Sequence, residues 1–468
     1  MVSNKDLKKR VLKGGIYLTF RQVIVSVLSL ANILVIARVL GPSLYGIVTV
    51  SLGIFYFLNR VFRLGLHVYL IRQPNLSDDM PKQILAFYNT VGAGVCFLFW
   101  FTAPVFGLWT GNSEVTLSLR ILLPALWLCS ISWVFTSVME RELRFAEVGL
   151  IEAICQIVYS AFSIGLVLLG CGYLGPIIGT VALFLSRTFL AYYLQPIPLS
   201  IRWDWKSLKP ALQYSLTYSG SDWMLSVKDL RVSLLVSRVV GIDSAGIIGI
   251  AIRLVDQLSM LRLVVRRMSI SVMAKIVDDP DKTRDTISRS MAYQALLIGP
   301  LCAFFSCISA WIIPIMFDER WLASTRIFPF IALGSLISSI FDLHTSTLYA
   351  SGTNRDVARL NFVYVGCLWI VSALLMPTLE LWGYAIAEVV ALPAFYLIHR
   401  SITRQYGSPS YWNALYLILA AVVPLFSGMF LPPILGSMLF VCCYALVFLL
   451  CSDIRDMTLE LVSVSRSR

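Results

Sequence analysis

Arg21, Arg187, Lys228, Arg231 and Arg253 each interrupt a long apolar run. Acids and one imidazole keep them company: Asp222, Asp229, Asp256, Asp342 and His344. Asp222 and Asp229 are seven apart and share a helical face; Lys228 and Arg231, three apart, share another. Ionisable groups inside apolar helices are costly and turn inward. Arg21, Lys228, Arg231 and Arg253 therefore form a candidate cationic site for an anionic group. Phosphate suits a guanidinium, which can donate two parallel hydrogen bonds. The acids, with His344, are candidate charge partners or ion-coupling groups. Internal pairing explains the same residues, and a cavity that closes when empty needs both. Arg60 and Arg63 are expected to snorkel to a membrane surface. Tyr17, Tyr56, Tyr214, Tyr218 and Trp223 could stack on sugar rings if they face the site; Trp109 and other tryptophans at span ends fit an interfacial belt.

Composition says what must position these residues. The chain has 468 residues, is 58% hydrophobic and 14% charged, and has a mean hydropathy of +0.79. Soluble domains carry nearer a quarter charged residues. The class is an all-α polytopic membrane protein. Its net charge of +12 belongs to membrane-flanking loops, so no nucleic-acid partner is expected. Ten cysteines lie mostly in apolar runs without ligand spacing, so neither a disulfide framework nor a metal site is expected. The basic N-terminus leads into an apolar run that Arg21 interrupts and no small-residue cleavage site follows, which reads as an uncleaved first span.

About fourteen segments are long and apolar enough to cross a bilayer. With both termini cytoplasmic, most of the 38 basic residues fall at cytoplasmic loops, and Arg38, Arg120, Arg238, Arg320 and Arg326 face outward. That is a strong positive-inside bias. Arg38, Val39, Gly41, Gly46 and Ile47 recur as Arg238, Val239, Gly241, Gly246 and Ile247. The repeat predicts two six-helix lobes (1–200 and 201–404) and two extra helices with a tail (405–468). An even number of spans per lobe makes the repeat parallel, with a pseudo-twofold axis along the membrane normal. The two turns lie outside the membrane, where their glycines let helices approach as an extracytoplasmic gate. No loop is long enough for a catalytic domain, and there is no Gly-x-x-x-x-Gly-Lys-Ser/Thr loop, so neither an enzyme nor ATP hydrolysis is expected.

The twelve-plus-two plan, the Arg38 to Gly46 turn and Glu140-Arg141-Glu142-Leu143-Arg144-Phe145 together resemble the Wzx-type flippases. These form the polysaccharide-transport branch of the multidrug/oligosaccharidyl-lipid/polysaccharide exporter superfamily. The second turn departs from the pattern, because Gly241-Ile242 lacks the proline. The resemblance implies a transporter without cofactor, in a bacterial cytoplasmic (inner) membrane. It would move a polyprenyl-pyrophosphate-linked oligosaccharide, such as an O-antigen or exopolysaccharide unit, to the outer leaflet by alternating access. Membrane lipids, a polymerase, assembly proteins and a coupling ion, H+ or Na+, are the implied partners. A MATE-like drug exporter of the same superfamily is the alternative; cation binding would favour carboxylates, which do not outnumber the bases at depth.

Overall fold

The computed structural model describes the backbone of residues 4–466 except 74–75, 261, 263–272 and 274. Side chains 1–24, 26, 217–218, 221–222 and 460–468 lie outside the described residues. Helix α1 (Asn4–Phe62) is one helix only nominally. Gly41 breaks it, with φ 69° and ψ 177°, and Pro42 follows. A left-handed glycine and a proline without an N–H supply a sharp kink. Short α2 (Leu66–Arg72) precedes α3 (Met80–Thr110), α4 (Ser113–Arg141), α5 (Phe145–Leu168), α6 (Leu174–Leu194) and α7 (Trp205–Leu230). Helix α7 runs into a π-helical segment, Arg231–Val236, and a last turn, Ser237–Val239. Then come α8 (Ile242–Leu258), α9 (Pro280–Met316), α10 (Ala323–Ile340), α11 (Asp342–Ala350) and α12 (Asn354–Leu379). The chain ends with α13 (Leu381–Val390), α14 (Tyr396–Tyr406), α15 (Trp412–Ser427), α16 (Pro433–Leu450) and α17 (Ser452–Arg466).

Among the described residues ten segments have the length and apolar content of a membrane span. The fourteen expected from sequence differ for local reasons. The first two share α1. Helix α7 carries Lys228 and Asp229 and changes helical type, and α8, at 17 residues, holds Asp243, Arg253 and Asp256. Helix α15, at 16 residues, is a shorter apolar helix.

By packing the chain divides into Met1–Gly246 and Ile247–Arg468, a cut that falls inside α8. The sequence repeat places its boundary earlier, near residue 200. Helix α7 follows that boundary in the chain but packs against α1, α2 and α3. In the first unit α4 is central, touching α1, α2, α3 and α6, and most of its residues are buried. Helix α3 is peripheral: Phe97, Phe101, Val105 and Leu108, at helical spacing, are exposed, as a lipid-facing stripe requires. Lipid tails are as apolar as leucine, so helices here associate through close packing and polar contacts. Asn32 of α1 donates to Ser160 of α5, and Gly179 of α6 lies on Ser163 of α5. In the second unit α9 is the spine, packed by α10, α15 and α16. Gly299 there lies against Ala421 and Tyr444, and Gly428 against Ser306.

Soluble-side caps fix the polar breaks. Asp204 accepts the Ser207 amide at 3.0 Å and caps α7. The same serine holds its carboxyl below the usual carboxylate range. Asp279 does the same for α9 through Lys282.

Candidate functional site

The two echoed turns meet. Gly241 takes a positive φ of 108°, as Gly41 takes 69°, so both copies use glycine for a backbone that other residues rarely adopt. A Cβ at Gly46 would strike the carbonyl oxygen of Ile242, and a Cβ at Gly246 would strike that of Pro42. The contact is reciprocal: each glycine meets the partner turn at the matching place. From there the second half of α1 runs antiparallel along α7 and its π segment. Gly53 lies on the Ser233 hydroxyl, Arg60 Nη1 donates to Ser226 Oγ at 3.0 Å, and Gly65 lies on Ser219 and the Ser215 carbonyl. Gly46, Gly53 and Arg60 are seven apart, and so are Ser219, Ser226 and Ser233. The seam is thus a heptad stripe of small and polar residues, the pattern that lets backbones touch. At its turn end Trp109 Nε1 donates to the Leu234 carbonyl at 2.8 Å, and Arg238 stands over the Trp109 ring at 5.9 Å. Trp109 therefore does more than anchor at an interface: it caps a carbonyl inside the π segment.

A second cluster surrounds Trp133 of α4. The guanidiniums of Arg63 and Arg187 lie 4.7 Å and 4.4 Å from its ring centroid. They are thus no farther apart than those distances together. The His67 ring lies 5.6 Å away. Asn59 Nδ2 and Trp133 Nε1 lie by the Cys129 thiol, a weak acceptor. Like Arg187 Nε and His67 Nδ1, they are buried without a hydrogen-bond partner among the described residues. Orphaned buried donors cost roughly 1–3 kcal/mol each, so an acceptor brought among them would be held favourably. Arg60 and Arg63, which the sequence assigns to snorkelling, both meet partners within the first unit. One binds Ser226 and the other stacks on Trp133.

The sequence-derived candidates are spread more widely. Arg231 opens the π segment and is fully buried. Lys228 is half-buried and Asp229 exposed. The side chains of Arg21 and Asp222, with Tyr17 and Tyr218, lie outside the described residues. Arg38 and Arg238 are exposed at the turns. In the second unit Arg253 and Asp256 are exposed. Asp342 is bound by Arg262, whose Nε and Nη2 lie 2.6 and 2.9 Å from its two oxygens while Nη2 also reaches Ser338. Asp342, Tyr364 and Asp256 all act on the Arg262 charge. His344 is fully buried and joined to Tyr411. Sequence reasoning missed Trp133 as a site member, and it did not single out Arg262, the partner of Asp342, or Tyr411 and His399, which lie outside that cluster. Arg187 beside an aromatic-rich α4 was the one available hint.

The Arg141 and Arg144 motif is a staple. Arg141 Nη1 donates to the carbonyls of Leu70 (3.1 Å) and Gln73 (2.6 Å) at the end of α2, where a cation favours the helix dipole. Arg144 binds Glu147, Glu142, Gln195 and the Leu194 carbonyl. The pair ties the α4–α5 turn to the ends of α2 and α6.

A bundle of apolar helices, ten segments of which are long and apolar enough to cross a membrane among the described residues, defines an all-α multi-pass membrane protein. The chain belongs to the family described as "Polysaccharide biosynthesis protein", whose profile matches residues 35–326. It is 21% identical over 437 residues to the "Lipopolysaccharide biosynthesis protein WzxC" of Escherichia coli (strain K12), covering 89% of this chain and 87% of that one. It is 22% identical over 362 residues to the "Teichuronic acid biosynthesis protein TuaB" of Bacillus subtilis (strain 168), covering 71% of each. In fold it is similar to "Lipid II flippase MurJ, inward closed conformation", with a TM-score of 0.70, 14% identity, and coverage of 92% of this chain and 99% of that one.

Proposed function

We propose that the protein flips a polyprenyl-pyrophosphate-linked oligosaccharide across a bacterial cytoplasmic membrane by alternating access. The observation that carries this reading is the guanidinium pair on Trp133. Stacking engages a guanidinium through its face, while its hydrogen bonds lie in its plane. Two stacked guanidiniums beside orphaned N–H groups suit a diphosphate with several acceptor oxygens. Arg21, Lys228, Arg231 and Arg253 extend the basic path, with Asp222, Asp229, Asp256, Asp342 and His344 as charge partners or ion-coupling groups. The polar head must cross about 30 Å of hydrocarbon, and a lining of fixed cations lowers that barrier while the tail stays in lipid. The relatives' names support a polysaccharide precursor as cargo. An H+ or Na+ gradient would drive the cycle, and a polymerase and assembly proteins would take the product.

The reading includes two parallel six-helix lobes, 1–200 and 201–404, with 405–468 outside the repeat. The reciprocal contact of Gly46 and Gly246 supports it, since a twofold operator pairs each residue with its partner's equivalent. Both turns then lie at the extracytoplasmic gate, and Gly41 and Gly241 shape them.

The test is reconstitution in liposomes with a fluorescent polyprenyl-diphosphate oligosaccharide. Movement between leaflets is expected, with Arg21→Gln and Arg253→Gln nearly inactive although inserted. Wild-type rates in both variants would sink the extended basic path. Tags at Asp204 and Asp281 should report cytoplasmic, and one at Glu319 extracytoplasmic. An outside tag at Asp281 overturns the two-lobe topology.

A further inference from the structure

His344, Tyr411 and His399 belong to three separate elements of the second unit and converge on one hydroxyl. Tyr411 Oη lies 2.8 Å from His344 Nε2 and 2.9 Å from His399 Nδ1. A phenol has one hydrogen to give and lone pairs to accept with. With both imidazoles neutral, it donates to one ring while the other ring donates to it. Once a proton has made one ring an imidazolium, shifting both protons along N–H···O–H···N leaves that ring neutral and makes the other the imidazolium, with the total charge unchanged. Tyr411 also lines a cleft of about 680 Å³, together with Asp281, Arg284, Asp285, Ser288 and Ser410. Burial increases inward from that cleft: Tyr411 is half-buried and His344 fully buried.

The rings are held in place. Phe341 stacks on His344 at 4.8 Å and on Phe395 at 5.0 Å, and Tyr364 closes on Phe395 at 5.2 Å. Thr403 reaches His399 at 3.5 Å. At the inner end, His344 Nδ1 is buried without a hydrogen-bond partner among the described residues, with the Ile340 carbonyl one turn back acting on the ring. That carbonyl can receive the second N–H of an imidazolium. The charged and titratable groups around the triad are few. Asp281, Arg284 and Asp285 come from α9, and Tyr364 from α12. Asp342, held by Arg262, lies two residues before His344. Arg284 and Arg289 pair with Asp281 and Asp285, while Arg400 and Arg404 of α14 are exposed.

We propose that His344, Tyr411 and His399 form a proton-binding relay that carries a proton from this cleft to the buried His344. A proton arriving there places a positive charge in the buried interior beside the Phe341 ring. The relay itself stands on geometry; only its coupling to cargo movement rests on the transport reading above.

The chain has three histidines, and His67 lies in the first unit, so ¹⁵N-histidine spectra of the full chain in lipid nanodiscs carry an internal control. Tyr411→Phe keeps the ring and removes the bridge. It is expected to shift the His344 and His399 resonances and leave His67 in place. In His344→Gln, the apparent midpoint of His399 should move by about 1 pH unit, as for coupled sites. A His399 titration unchanged in both variants overturns the relay. The second measurement imposes a pH gradient on liposomes containing the fluorescent oligosaccharide lipid. Wild type should be accelerated roughly tenfold, and Tyr411→Phe should lose that acceleration and keep its gradient-free rate. If the gradient leaves the wild type unaffected, the coupling fails. If no cargo moves in any condition, the transport reading fails, and the spectra still decide the relay.

Discussion

Exchange of Arg63 and Arg187 together for glutamine is expected to cut transport of the oligosaccharide lipid by at least about 100-fold. A hydrogen bond to a charged group contributes roughly 1.5–3 kcal/mol, so losing one from each guanidinium removes about 3–6 kcal/mol of anion binding. At about 1.4 kcal/mol per decade, that is two to four decades. The lysine double variant should fall between. It keeps both charges but loses the planar fork and the stacking that sets the guanidiniums 4.7 and 4.4 Å from Trp133. Trp133→Phe retains an aromatic face and should cost less than tenfold, since a cation–π contact contributes about 0.5–2 kcal/mol. Trp133→Ala removes the platform and should approach the glutamine pair. Rates are compared at equal membrane insertion. A glutamine pair that transports like wild type would remove the cluster from the substrate path.

The contrast between this cluster and the residues legible in the sequence is physical. Hydropathy identifies a membrane bundle, because that signal is summed over many residues. A repeated Arg-x-x-Gly turn is also legible, since a left-handed backbone requires glycine at Gly41 and Gly241 whatever surrounds them. Partners across helices are not written locally. Arg187 and Arg63 are 124 positions apart, yet they share Trp133, which in sequence is one more aromatic in an apolar run. Hydropathy alone also ties Arg63 to the membrane surface, because snorkelling is the default for a long cation near a helix end. The indole offers a different solution, in which the cation is solvated by an aromatic face. Tyr411 and His399 were hidden for the same reason. Each lies near a polar boundary, where tyrosine and histidine are common, and only the fold brings both to His344.

The seam between α1 and α7 yields the other large effect. An ideal Cβ at Gly53 would lie 3.4 Å from Ser233 Cβ, close to the 3.5–4.5 Å found across disulfides. The pair Gly53→Cys and Ser233→Cys should therefore cross-link on mild oxidation without moving either helix. Small residues at heptad spacing let these helices separate and re-close, because little side-chain volume interlocks and few contacts must break. If the substrate path opens by parting the seam, a covalent bond at its middle stops the cycle. Transport should fall at least about tenfold on oxidation and return on reduction, whereas each single cysteine variant should remain active in both conditions. The reciprocal turn makes a further demand. Gly46→Leu would push a side chain into the Ile242 carbonyl, holding the turns apart where the disulfide holds the helices together. Transport should fail in both variants, but for opposite reasons. A thiol-reactive probe at Ser226→Cys separates the two: labelling should drop in the oxidised pair and rise in Gly46→Leu. Full transport by the cross-linked pair would mean that α1 and α7 move as one body and that the path opens elsewhere.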